Sequence, residues 1–498
     1  MADVRRAAGR PREKPHRIAD ELRLLIASGE LAEGEWLGRE PELIERFRVS
    51  RPSLREALRI LEAEGLVSIV RGVRGGVVVH APHERMAART AAHILQADNV
   101  PLADVFEARA QLEPLAAREI ATTPDRDGAV TELRGVVERQ RACLDDPELF
   151  RPANAAFHER LVALAGNQTL AVVAEMLTEI LVPAVTALDR AGAGSLPARR
   201  RGARSQERLL ALIEDGDGPG AEKHWRSHMQ AVKRALLGDE AATAVRGTVQ
   251  VVAGKQGKPQ QIADEIRASI VGGELDEGDS LGREPELVER FGVSRPSLRE
   301  ALRLLEADGL ITVVRGVHGR VVVHRPDQRM TARMGSLLLR ARNVPLADAF
   351  AARALLEPLA ARSVAARRAR RAAVTGLRAL IDREDEAIED PERFAVANAA
   401  FHERLVSLGG NQTLAMVNRM LNEIVVRSVT AVSQAGDVVG SLATRRRGLR
   451  SQRRLLELLE AGDAAAAEEF WRDHMTVVGR VMLGQTASNV VDLLLHDA

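Results

Sequence analysis

Arg51, Arg55 and Arg59 recur at four-residue spacing, with Ser50 and Ser53 between and beside them. On a helix this spacing lines the three guanidinium groups up in one row. Leu54, Leu58 and Leu61 fall on another face at i, i+4, i+7, so one helix can seat its leucines in a core and keep its arginines in solvent. An arginine row near a helix N-terminus can contact phosphates and pair in bidentate fashion with guanine. Its plainer reading is a solvated face, so the neighbouring elements have to decide.

A second polar set lies downstream. His158 sits in an F-H pair, His228 closes H-W-x-x-H, and Arg109 stands four residues before Glu113. His158, Glu159 and His228 raise the question of hydrolytic chemistry. However, H-E-x-x-H, a Gly-rich phosphate loop and a Ser-His-Asp order are all missing, which argues against an enzyme. Arg109 and Glu113 read as a surface i, i+4 pair worth a few tenths of a kcal/mol.

Both sets occur twice. RVSRPSLREALRILEAEGL at 48–66 returns as GVSRPSLREALRLLEADGL at 292–310, an offset of 244 residues from Ser50 to Ser294. His158 and His402 keep that offset, whereas His228 and His474 are 246 apart. A two-residue insertion therefore lies near Gly192 and Asp437. A unit of this length is too long for a solenoid repeat and reads as a whole-gene duplication.

The elements that must carry the arginines can be read around them. Ile18, Leu22, Leu25 and Ile26 have helical spacing, ended by Gly29. Pro41 suits the first turn of a second helix, with Leu43, Ile44 and Phe47 facing inward. Ser50 is a candidate N-cap for the arginine helix, with Ser53 to Glu56 as a competing capping box. Leu66–Val70 and Gly76–His80 alternate around Arg71 and Gly72, which predicts a hairpin with a basic, glycine-rich tip. Two tight helices, an Arg/Ser helix and a basic-tipped hairpin, in this order, favour double-stranded DNA as partner. From about Glu84 to Leu237 the pattern is helix after helix.

Composition bounds the rest. The chain has 498 residues, 45% hydrophobic and 28% charged, with a formal net charge of +1. Any nucleic-acid binding must come from local basic faces. Cys143 is the lone cysteine, which excludes a disulfide framework and suits a reducing cytoplasm. No apolar run reaches the ~18 residues of a membrane span. With no tyrosine and 2% aromatics, stacked single-strand binding is disfavoured.

The segment LGREPELIERFRVSRPSLREALRILEAEGLVSIVRGVRGGVVV (residues 37–79) resembles the winged helix-turn-helix of GntR-type bacterial regulators. The resemblance implies DNA contacts at Ser50, Arg51, Ser53, Arg55, Arg71 and Gly72, and at Ser294, Arg295, Ser297, Arg299, Arg315 and Gly316. The family's Glu-Arg-Glu arginine position is Pro41 (and Pro285) here, and Arg39 and Arg283 are the nearby substitutes. The remainder, with R-x-x-L-E-P at 109, F-H at 157, A-G-N at 165 and H-W-x-x-H at 224, resembles the all-helical FCD effector module of the FadR subgroup.

Many such modules hold a divalent metal, Zn or Ni, through one Asp and three His. The matching positions here are Asn154, His158, Gln206 and His228, and Asn398, His402, Gln452 and His474. Only His158, His228, His402 and His474 remain as strong ligands. The same pockets, with Arg109 and Arg353, can bind a small carboxylate-type effector directly.

The reading is a mostly α chain: an arm at 1–14, a winged helix-turn-helix at 15–82, a helical effector domain at 83–238, a linker at 239–258, the second pair at 259–326 and 327–484, and a tail at 485–498. Function is expected to be that of a cytoplasmic, ligand-responsive repressor. The chain would act as an intrachain pseudo-dimer on a near-palindromic operator, with room for further self-association. The alternative is an effector-independent architectural protein whose helical domains serve only pairing. Asymmetry in the operator should arise where the copies differ, at Arg48 against Gly292 and at Gly76 against Arg320.

Overall fold

The computed structural model describes residues 14–27, 30–63, 66–70, 76–80, 95, 100–190, 195–237, 258–271, 273–307, 310–314, 320–324, 338–339, 342, 344–434 and 441–483. The expected arm, linker and tail, except Lys14 and Lys258, which open helices, lie outside these residues, as do Arg71, Gly72, Arg315 and Gly316.

Each unit begins with three helices and a three-stranded sheet. In the first these are α1 (Lys14–Ala27), β1 (Trp36–Gly38), α2 (Glu40–Phe47), α3 (Arg51–Ala63), β2 (Val67–Val70) and β3 (Gly76–Val79). The sheet is antiparallel in the order β1-β3-β2, and Val67 pairs with Val79 and Val70 with Gly76. Leu22, Leu43, Leu54, Leu58, Leu61 and Val77 form the core, so the leucine face of the arginine helix is buried as its spacing requires. Ser50 is the N-cap: its Oγ accepts from the Ser53 backbone N–H at 3.3 Å and lies 2.8 Å from Ser53 Oγ. The competing cap at Ser53 is not used.

The two wings differ for a steric reason. A Cβ on Gly76 would stand 2.2 Å from Trp36 Nε1 and 2.8 Å from the Gly38 carbonyl. The tryptophan occupies the space a side chain would need. In the second unit Arg320 replaces Gly76 and Ser280 replaces Trp36, so the two substitutions compensate one another.

Six helices complete the first unit: α4 (Leu102–Thr122), α5 (Arg126–Ala142), α6 (Pro147–Ala163), α7 (Gln168–Arg190), α8 (Leu196–Glu214) and α9 (Gly218–Leu237). The second unit repeats the whole order as α10 (Lys258–Val271), β4 (Ser280–Gly282), α11 (Glu284–Phe291), α12 (Arg295–Ala307), β5 (Ile311–Val314), β6 (Arg320–Val323), α13 (Leu346–Ala366), α14 (Arg370–Glu386), α15 (Pro391–Leu408), α16 (Gln412–Gln434), α17 (Leu442–Ala461) and α18 (Ala464–Leu483). α4 is the central helix of its bundle and packs most extensively on α9, as α13 does on α18. α7 comes nearest to a long apolar run, although Glu175 and Glu179 interrupt it. Its segment Gln168–Thr186 has mean hydropathy 1.6 and is long and apolar enough to cross a membrane, but 76% of it is buried inside the molecule. It is apolar because it is an interior helix.

The bundles meet through reciprocal contacts. Asp348 Oδ2 accepts from the Gln168 backbone N–H (2.8 Å) and its carbonyl accepts from Asn167 Nδ2 (3.0 Å). Asp104 does the same for Gln412 (3.0 Å) and Asn411 (2.9 Å). Each unit therefore supplies the carboxylate that satisfies orphan N–H groups at the start of the other unit's α7 or α16. Val105, Phe106, Leu170 and Val173 of the first unit share one apolar cluster with Val344, Phe350, Leu414 and Val417 of the second. α3 and α12 also approach one another.

Candidate functional site

The N-terminal modules present the arginine helices as expected. Arg51, Arg55, Arg295 and Arg299 are exposed at the starts of α3 and α12. Arg55 Nε donates to Glu40 Oε1 at 2.9 Å, Arg51 Nε lies 3.2 Å from the same oxygen, and Arg299 Nε donates to Glu284 Oε1 at 2.9 Å. Exposed pairs of this kind contribute about 0–1 kcal/mol. A bidentate arginine–guanine contact is worth ~1–3 kcal/mol, so the carboxylates can hold these side chains in place without preventing their transfer to DNA. Arg39 and Arg283 are exposed at the N-cap positions of α2 and α11, and their backbone N–H groups donate to Glu42 and Glu286 at 2.8 Å. They stand at the same end of the module as Ser50 and Ser294.

Arg48 carries a signal that its spacing did not. It ends α2 in the left-handed region at φ 49°, where the second unit has Gly292 at φ 60°. Among the described residues it is the one non-glycine residue with positive φ. A side chain in this conformation costs about 1–2 kcal/mol. Arg48→Gly should therefore raise unfolding free energy by ~0.5–1 kcal/mol in urea titrations. If the exposed guanidinium touches one half-site, the same change should weaken binding there and leave the half-site read by α12 unaffected.

The helical modules gather the second polar set, with one correction. Arg109 and Glu113 are not a surface pair: they are 9% and 2% exposed. Tertiary packing places α6 and α9 over this face of α4. Glu113 Oε1 accepts from Arg109 Nε at 2.7 Å, while Oε2 lies 2.7 Å from His158 Nδ1 and accepts from Trp225 Nε1 at 2.9 Å. The second unit repeats this with Arg353 (2.7 Å), His402 (2.5 Å) and Trp471 (3.1 Å) around Glu357. Each tryptophan stacks on a histidine, Trp225 on His228 at 4.4 Å and Trp471 on His474 at 4.5 Å. Glu113, Glu357 and the tryptophans were not among the candidates. The W-x-x-H spacing repeated at Trp225–His228 and Trp471–His474 was the available signal.

Electrostatics assign the protons. Burial alone would raise the Glu113 carboxyl, but Arg109 and then His158 outweigh it and hold it down at about 2. The buried His158 ring is pushed below its usual range by burial, against the pull of Glu113. It is therefore neutral, with Nδ1–H donating to the carboxylate and Nε2 left as an acceptor.

Burial, reinforced by His158, lowers His228 to about 3, and burial with His402 lowers His474 to about 4. Below about pH 6.5 the unfolded chain takes protons on these rings that the folded chain does not, so their contribution to stability falls as pH drops through 6.5 towards 4.

Behind this layer the two units diverge. In the first, Asn154 Oδ1 accepts from Gln140 Nε2 (2.9 Å) and Gln206 Nε2 (3.2 Å). In the second, Glu384 replaces Gln140, and Asn398 Nδ2 (3.2 Å) and Gln452 Nε2 (3.1 Å) both donate to it. Burial pushes the Glu384 carboxyl up to about 7 against these two donors. Here the sign reverses: the folded state keeps a proton that the unfolded state loses above about pH 4.3, so this contribution favours folding in acid and is lost as pH rises through about 7. Relative to the native chain, Glu384→Gln should gain ~2–3 kcal/mol of stability between pH 5 and pH 8, read from urea titrations at both values.

Arg353, Asn398, His402 and His474 converge on a cavity of about 710 Å³, which Arg445, Arg447 and Arg450 also line. Gln452 stands behind it, bonded to Glu384. The residues do not fit the metal centre that the sequence resemblance raised. The Asn154 carbonyl is already engaged by two amide donors, Asn398 turns its own donor towards Glu384, and among the described residues no three His, Cys, Asp or Glu side chains are placed to hold an ion.

Comparison with known proteins accounts for both modules. The model of bacterial regulatory proteins of the gntR family matches residues 15–79 and 258–321, and that of the FCD domain matches 104–231 and 348–477. The chain belongs to the gntR family. It carries the family module and the FCD domain twice, and these are the domains of transcriptional regulators and not of enzymes. It is 32% identical over 174 residues to the HTH-type transcriptional repressor NanR of Enterobacter sp., a match covering 34% of this chain and 64% of NanR. It is 26% identical over 215 residues to the regulator LutR of Bacillus subtilis, covering 43% of this chain and 97% of LutR. A solved GntR of Streptococcus agalactiae aligns over 44% of this chain and 99% of its own, at 19% identity and a TM-score of 0.33. The fused, two-unit architecture is thus a property of this gntR chain beyond the length of these relatives.

Proposed function

We propose that this protein is a ligand-responsive repressor that binds a near-palindromic DNA operator as a single-chain pseudo-dimer. The observation that carries the reading is the reciprocal capping by Asp104 and Asp348, which joins the two helical modules about a two-fold. The approach of α3 to α12 supports it, because paired half-sites require both reading helices on one side of the molecule. Fusion makes the second half-site contact intramolecular and so raises its effective concentration.

The cavity beside His402 and Arg353 is the effector site in this reading, and it recognises its ligand directly, without a resident metal. Its arginines suit a small carboxylate-bearing metabolite. A bound effector would act through α4 and α13, which carry Arg109 and Arg353 on one side and Asp104 and Asp348 on the other.

Genomic footprinting of the full chain tests the reading, followed by binding to the recovered site with and without a panel of small organic acids. Protection of paired half-sites, released by at least one acid that also raises the melting temperature, is the expected result. Operator binding that no acid alters, with no thermal shift, would favour a purely architectural role for the helical modules.

A further inference from the structure

The single exchange of Gln140 for Glu384 changes what each pocket shows its ligand. An ionised carboxylate can only accept hydrogen bonds. Above about pH 7, where its proton is lost, Glu384 therefore draws the N–H₂ groups of both Asn398 and Gln452 towards itself. Asn398 lines the cavity and is only partly covered, so the group it has left for a ligand is its carbonyl. In the first unit Gln140 and Gln206 donate to Asn154, which turns its carbonyl inward and leaves its N–H₂ for a ligand. Arg109, His158, Trp225 and His228 are matched by Arg353, His402, Trp471 and His474, while Thr178, His224 and Ser227 give way to the cavity-lining Asn422, Phe470 and Asp473. In both units the neighbouring histidine offers an Nε2 acceptor, because Nδ1–H is committed to Glu113 or Glu357.

We propose that the two pockets are inequivalent and select different groups. The first meets its ligand with the Asn154 N–H₂ and takes a carboxylate or carbonyl oxygen. The second meets it with the Asn398 carbonyl beside His402 Nε2 and takes a hydroxyl or ammonium, while Arg445, Arg447 and Arg450 face a carboxylate on the same molecule. The second pocket is thereby a site for a hydroxy- or amino-acid, and the first for a simpler acid. This rests on the effector reading above, which names the cavity as a ligand site.

The test has one part that needs no ligand. In the full chain with ¹⁵N-labelled asparagine side chains, the Asn398 amide protons should exchange with water more slowly than those of Asn154 at pH 8.5. Glu384→Gln should remove the protection and Gln140→Glu should confer it on Asn154. Equal exchange at the two sites, or exchange indifferent to both substitutions, overturns the proposal.

The second part uses glutarate and 2-hydroxyglutarate in calorimetric titrations. Preference for the hydroxylated acid at the second pocket should be roughly tenfold, as one added hydrogen bond implies. It should vanish in Glu384→Gln and appear at the first pocket in Gln140→Glu. A preference that survives both exchanges overturns the proposal. Failure of both acids to bind counts against the effector reading, and the exchange rates then decide the polarity of the two sites by themselves.

Discussion

Replacing Arg51 and Arg295 together by alanine should lower affinity for the specific operator by roughly 30-fold or more while reducing non-specific DNA binding far less. Both side chains are exposed at the first residue of their helices, next to the capping serines Ser50 and Ser294. If each makes a bidentate contact with a guanine, each loss is worth ~1–3 kcal/mol, and two independent half-sites double it. The partner carboxylate Glu40 does not offset this, because an exposed ion pair contributes about 0–1 kcal/mol. Salt titration separates the two roles an arginine can play. A base-reading pair should leave the slope of affinity against salt nearly unchanged, whereas loss of phosphate contacts should reduce it by ~1 per contact. Equal loss of specific and non-specific affinity would show that the arginine row only follows the backbone.

Glu113→Ala should be the most destabilising single change in the first helical module. It leaves the Arg109 guanidinium, the His158 Nδ1–H and the Trp225 Nε1–H without their shared acceptor. All four residues sit in the interior of the bundle: Trp225 is fully buried, and Glu113, Arg109 and His158 are each less than 10% exposed. Removing one member of a buried ion pair costs about 3–5 kcal/mol. At 2–4 °C per kcal/mol for a domain of this size, the melting transition of that module should fall by roughly 6–20 °C. Glu222→Ala provides the contrast. It removes Arg118 and Arg226 pairs at the molecular surface and should shift the transition by no more than ~2–4 °C. Comparable losses from the two changes would contradict the central place given to Glu113.

The contrast between these residues shows what could be read in advance. The arginine row, the leucine seam, the Ser50 cap and the duplication are all local patterns, set by residues within one or two turns or by direct repetition. The structure places Arg51, Arg55, the leucine seam and the cap as their spacing requires, while the Arg59 side chain lies outside the described residues. Glu113 is different. Its pairing with Arg109 is local and legible, but its burial depends on His158 and Trp225, which are 45 and 112 residues away. Nothing in the i, i+4 spacing distinguishes a solvated pair from one sealed under two other helices.

Asp104 is a stronger case. Its partners Asn411 and Gln412 lie in the other unit, about 300 positions along the chain, and an aspartate in the first turn of a helix is ordinary on its own account. The difference between Gln140 and Glu384 was visible by comparing the copies. It gained meaning once Asn154 and Asn398 were seen to turn opposite ends towards these residues. Trp36 and Gly76 follow the same logic, since each copy's wing is explained by a residue some 40 positions away.

The central claim is that one chain supplies both halves of the DNA-reading unit. Its most direct test is the mass of the protein–DNA complex, measured by light scattering on a duplex carrying both footprinted half-sites. The account predicts one 54.1 kDa chain per duplex, with Asp104→Ala plus Asp348→Ala reducing affinity for that duplex but not for a single half-site. Two chains per duplex, each engaging one half-site, would contradict it.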